Sequence, residues 1–213
     1  MKIIHENACS GCRTATRDFI MARRKKQSSR KTSGMSLGRG FEVGLASIVV
    51  LVVAEWIDWL MGHTLDLHGI LPRQTEGLPG VLWSPLLHAH WAHLAANAGP
   101  LALLLAMLFA ERAYRPVQSL AMIWLVSGLG TWMIGRPAIH IGASSLVYGL
   151  VTYLLTATLW MKSWRAFLLS LIVLALFGGL FHGLLRIEAG VSWEGHLSGV
   201  LAGVWVAWLI HGR

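Results

Sequence analysis

"HAHWAHLAANAGPLALLLAMLFA", residues 88–110, decides the fold. Its second half carries no charge and reads as a segment for lipid, yet its leading turns hold His88, His90, His93 and Asn97. The surrounding composition agrees with the lipid reading. Of 213 residues, 55% are hydrophobic and 13% charged, about half the charged fraction a soluble domain needs to face water. Eleven tryptophans point the same way, because indoles favour the membrane interface. The chain is expected to be an all-α polytopic membrane protein.

A helix needs about 20 mostly apolar residues to cross the hydrocarbon core. Six segments meet that length, at roughly 41–61, 94–110, 117–135, 143–161, 166–185 and 192–210. Ten of the eighteen Lys and Arg residues lie in 1–40, and Arg112, Arg115, Lys162, Arg165 and Arg213 fall on the same side of the alternating spans. Only Arg73, Arg136 and Arg186 fall on the other side, so both termini are expected in the cytoplasm. Residues 1–40 then form a basic, disordered cytoplasmic tail, and 41–213 form the membrane domain. The run "RRKKQSSRK" at 23–31 is read as topogenic rather than as a nucleic-acid site. No long apolar run occurs in the tail, so no cleavable signal is expected. Its "CSGC", Cys9 to Cys12, is read as reduced, and Met21 and Met35 are alternative starts. One long loop, about 62–92, is apolar as well as rich in Pro and Gly and suits the interface.

On this topology, His93 and Asn97, Ser144, and His196 each open a span from the outer face. At 1.5 Å rise per residue they share a depth to within about 6 Å. Each has a structural role open to it. A histidine can cap a helix, and a serine can bond its own backbone one turn back. Four polar groups at one depth in lipid nevertheless favour chemistry. Serine becomes nucleophilic when a neighbouring base takes its proton, and histidine titrates in the right range. Ser144 follows Gly142 on the first turn of a helix, where free backbone N–H groups suit an oxyanion. His93 and Asn97, spaced i, i+4, share a face and can donate to the same oxyanion. Gly195, Gly199 and Gly203 make a small-residue stripe that lets the helix carrying His196 approach a neighbour closely. Glu194 points away from His196, and Glu55 and Asp58 at the end of the first span are read as solvated, so a Ser–His dyad is expected without an acid. Tyr148, one turn below Ser144, is in position to stack on the imidazole.

These residues resemble the rhomboid family of intramembrane serine proteases. "HAHWAHLAAN" resembles the family's H-x4-H-x3-N, "GASS" its G-x-S-G, and "GHLSGVLAG" its H-x2-G-x3-G, with six spans and a long first loop over roughly 41–210. The resemblance implies Ser144 as nucleophile and His196 as base. His93, Asn97 and the Ser144 N–H would form the oxyanion hole, with His88, Tyr148 and Gly142 in supporting positions. It also implies cleavage of transmembrane protein substrates near the membrane surface, without metal or other cofactor, by a protein of the bacterial inner membrane. One position departs from the pattern: Ser145 stands where the family has glycine. A catalytically inactive, client-binding member of the family is therefore the alternative. A metal-dependent hydrolase built on "HAHWAH" lacks a nearby acid, and a small transporter would place its polar groups at mid-membrane.

Overall fold

The computed structural model describes residues 36–184 and 190–212. The basic run, Cys9, Cys12, Met21, Met35, Arg186 and Arg213 lie outside the described residues. The long helices are α1 (Leu37–Leu60), α2 (Trp91–Ala110), α3 (Pro116–Ile134), α4 (Ser144–Met161), α5 (Trp164–Phe177) and α6 (Trp193–His211). Among the described residues, α1 to α4 are long and apolar enough to cross a membrane. The other two depart from the expected pattern for physical reasons. α5 has 14 residues, about 21 Å of rise, and a break at Gly178 separates it from the short helix Leu180–Leu184. α6 has 19 residues, but Glu194, His196 and His211 lower its hydropathy.

Local chemistry sets the boundaries. Ser36 caps α1 by accepting from Arg39 N–H at 3.2 Å, and Ser192 caps α6 by accepting from Gly195 N–H at 3.2 Å. His90 caps α2: its Nδ1 accepts from His93 N–H at 3.0 Å. Pro116 opens α3, where its missing N–H costs nothing.

α4 is the central helix. Leu150, Tyr153, Leu154 and Ala157 on it have no exposed surface, whereas α1 presents Leu45, Val49, Val53 and Trp56 outward, as a lipid-facing helix would. α6 packs most extensively on α4, α1 on α2, and α3 on α6. The α1–α2 seam is close because a Cβ on Gly44 would sit 2.6 Å from the Ala102 carbonyl oxygen.

The 62–90 loop closes the end of the bundle formed by the C-termini of α1 and α3 and the N-termini of α2, α4 and α6. It is ordered by hydrogen bonds with α3 and its C-cap. Trp132 donates from Nε1 to Gln74 O at 2.9 Å, and Arg73 donates to Gly135 O at 2.7 Å. Trp124 lies mid-helix, away from either membrane boundary. Its Nε1 donates to Val81 O at 3.0 Å, so the short helix Gly80–Trp83 reaches down beside α3 rather than resting on the surface. Glu55 and Asp58 correct the expectation of solvated acids: each is 1% exposed, covered where the loop folds over the end of α1.

Candidate active site

Ser144 is the first residue of α4, and the turn before it is built on Gly142 at φ +107°. A side chain is strained at that φ. It would also have no room, since a Cβ there would lie 2.7 Å from both Cε1 and Nε2 of His93. His93 thus lies directly against the turn that presents Ser144. Gly142 N–H donates to Ser84 O at 2.8 Å, and Ala143 N–H reaches His88 Nε2 in a long bond of 3.4 Å. His88, fully buried, meets His93 edge-on with ring centroids 5.1 Å apart. Asn97 donates from Nδ2 to His93 O at 2.9 Å, which leaves its second amide hydrogen available to another acceptor.

On the facing helix, His196 is 9% exposed and stacks on Tyr148, centroids 4.3 Å apart and planes 18° from parallel. Tyr148 is itself fixed by donating from its hydroxyl to Leu180 O at 2.7 Å. The contact exists because α4 and α6 touch through backbone. A Cβ on Gly199 would run into Ser145 O and lie 3.2 Å from Gly149 N, and one on Gly203 would run into Gly149 O and Thr152 Oγ1. Gly195 faces elsewhere: a Cβ there would lie 3.7 Å from Thr131 Oγ1 on α3. Glu194 does not serve His196. Its Oε1 accepts from Arg136 N–H at 3.3 Å and lies 3.6 Å from Arg136 Nε, and His196 Nδ1 has no hydrogen-bond partner among the described residues.

Ser144 and Ser145 line one cavity, whose walls include Ser84, Thr131, His140 and Ser192 but neither His93 nor His196. No hydrogen bond joins Ser144 Oγ to His196 among the described residues. Catalytic hydrogen bonds are often long in the absence of substrate. Ser144, His196, Tyr148, His93, Asn97, His88 and Gly142 therefore gather at one end of the bundle, with the Ser–His link open.

The spacing rules overlooked two residues in these walls. His140 is 6% exposed, and its two ring nitrogens lie 2.6 Å from Ser192 Oγ and 3.1 Å from Arg136 O. Because the carbonyl can only accept, Nε2 carries the proton and Nδ1 accepts from the serine. The pair joins the loop before Ser144 to the cap of α6, 52 positions away. Proximity to "GASS" is the only sequence signal for His140, and Ser192 has only its capping position.

A rhomboid domain model matches residues 76–213, which takes in His88, His90 and His93, the Ser144 turn and His196. The chain belongs to the rhomboid family. It is a multi-pass membrane protein. It is 42% identical over 175 residues to an uncharacterized protein of Mycobacterium tuberculosis, covering 78% of this chain and 73% of that one. An uncharacterized Mycobacterium bovis protein matches to the same extent. A Mycobacterium leprae protein, also uncharacterized, is 36% identical over 176 residues, covering 78% and 69% respectively.

His88 carries a pH prediction for this rhomboid. Burial, with the neighbouring His93 adding to it, pushes its pKa down to about 4. The unfolded chain therefore takes up a proton near pH 6.5 that the folded chain refuses until about pH 4. Stability is full above pH 6.5 and falls as pH drops through that window, by roughly 3 kcal/mol from this group alone. Thermal melting between pH 7 and pH 4 should show a shallower decline for His88→Gln than for wild type. An identical slope would show that His88 is not the group responsible.

Proposed function

We propose that this rhomboid is an intramembrane serine endopeptidase of the bacterial inner membrane. It cuts transmembrane segments of other membrane proteins near the outer face by a Ser144–His196 dyad. The observation that carries the reading is the stack of His196 on Tyr148, which holds an imidazole beside the helix that Ser144 opens. In the reaction, His196 takes the Ser144 proton as Oγ attacks the scissile carbonyl. The oxyanion receives hydrogen bonds from Ser144 N–H, His93 and Asn97, each worth about 3 kcal/mol in such sites. His196 then protonates the leaving amine, and water releases the acyl group by the same steps in reverse order. Tyr148 does the orienting work that an acid does in a triad.

The same reading has the chain crossing the bilayer six times, with α5 and α6 as the fifth and sixth spans and both termini in the cytoplasm. It makes 41–213 the catalytic domain, preceded in the sequence by the basic segment 1–40. The charge distribution supports that direction. A second reading, a client-binding rhomboid without catalysis, draws on Ser145 and on the open link between Ser144 and His196.

Labelling of the detergent-purified protein by a fluorophosphonate separates the two. Covalent labelling of folded wild type, competed by prior heat denaturation, is expected of the protease. Folded protein that stays unlabelled, and becomes labelled only as Ser145→Gly, would establish the client-binding reading.

A further inference from the structure

The end of α1 and the loop that follows it bring together acidic groups that the proteolytic site does not use. His63 Nδ1 lies 3.1 Å from Asp58 Oδ2 and 3.9 Å from Asp66 Oδ2, and one ligand atom from each of the three residues falls within 4.8 Å of the others. Ligands bound about 2.0–2.2 Å from a tetrahedral ion are roughly 3.3–3.6 Å apart, so the observed separations bracket those of a filled site. Asp58 Oδ1 is occupied, accepting from Leu65 N–H at 2.7 Å, and this bond fixes the carboxylate with Oδ2 toward His63.

A histidine–aspartate pair alone would explain the 3.1 Å contact, but not Glu55. Glu55 lies one turn before Asp58 on the same helix face and is 1% exposed, with neither carboxylate oxygen hydrogen-bonded. Asp66 Oδ1 is likewise buried without a partner. Among the described residues, His63 supplies the only ion pairs of these carboxylates, and no Lys or Arg approaches them. Three carboxylates beside one imidazole, those of Glu55 and Asp58 buried and that of Asp66 19% exposed, make an oxygen-rich set that a cation would satisfy.

We propose that Asp58, His63 and Asp66, with Glu55 behind them, form a binding site for a divalent cation of the zinc type that clamps the first loop to the end of α1. The mixture of imidazole and carboxylate favours zinc over calcium or magnesium, which prefer all-oxygen sets. The ligands come from "DWLMGHTLD", 58–66, a spacing that is no familiar zinc signature. The clamp has a route to the rest of the molecule. Just downstream, Ile70 and His140 exchange both backbone hydrogen bonds, at 2.9 and 2.8 Å, and the His140 segment leads into Ser144. Securing 58–66 therefore stiffens the approach to the Ser144 turn, whatever chemistry that turn performs.

The test uses the full chain with Cys9→Ser and Cys12→Ser, which removes both thiols, and without a polyhistidine tag. After stripping with a chelator, zinc chloride is titrated by calorimetry and the melting temperature is followed. One equivalent per chain and a raised Tm are expected. His63→Ala and Asp66→Asn should each weaken binding by about tenfold or more. Both side chains are partly exposed, at 42% and 19%, so at least the histidine variant should fold. Absence of binding, or binding that both variants leave unchanged, overturns the proposal. Binding lost in His90→Ala but kept in His63→Ala would put the ion at the histidines before α2 and overturn it equally.

Discussion

Ser144→Ala and His196→Ala should each lower cleavage of a single-span membrane substrate by at least about 10⁴-fold, while Ser145→Ala stays within a few-fold of wild type. The expected size follows from what a dyad does. Loss of either the nucleophile or its base leaves only substrate binding and the oxyanion donors, and removing one partner costs about as much as removing both. The double variant should therefore be no worse than either single one. Ser145 is the discriminating control, because it lines the same cavity as Ser144. Its carbonyl faces α6 at Gly199. Cleavage measured in proteoliposomes decides the matter. If Ser145→Ala is as inactive as Ser144→Ala, the nucleophile has been assigned to the wrong hydroxyl. If His196→Ala retains activity, the base lies elsewhere, and His140 is then the next histidine to change.

Hydropathy made the helices legible, because lipid imposes one length on every crossing segment and tolerates few charges. The same rule was weakest for α5 and α6, where a break at Gly178 and the polar residues of the site dilute the signal. The gathering of His93, Ser144 and His196 could be argued from the sequence because alternate helices start at the same end of the bundle. Other features depend on tertiary burial, which no local pattern encodes. Glu55 and Asp58 look like solvated acids at a helix end, and only the loop folding over them makes them buried. Trp124 has no reason to be mid-helix until Val81 arrives as its acceptor. His140 and Ser192 are far apart in sequence and share no periodic relation, so their contact is visible only once the bundle has closed.

Gly203→Ala should destabilise the protein by roughly 3 kcal/mol or more, and abolish activity at temperatures where the wild type is fully active. Helix association in lipid has little hydrophobic driving force and rests on close packing, so small residues at a seam matter more than in water. At Gly203 the added methyl would run into Gly149 O and Thr152 Oγ1 and come within 2.9 Å of Tyr153 N. Two of these three atoms are backbone of α4, a helix packed on several sides, so neither can yield as a flexible side chain would. Ordinary overpacking costs about 1–3 kcal/mol, and a backbone obstruction belongs at or above the top of that range. The helices must then separate, and separation acts on the one seam that sets Tyr148 and His196 at 4.3 Å. Stability and catalysis should fall together. Gly38→Ala, in the first turn of α1, supplies the contrast: nothing lies within 4 Å of a Cβ there, so the methyl meets open space and the melting temperature should hold or rise slightly. Thermal melting in detergent with activity measured alongside distinguishes the outcomes. A Gly203→Ala protein that melts like wild type but has lost activity would mean that the glycine serves the site directly; one that keeps both would show that the α4–α6 seam is looser than its geometry indicates.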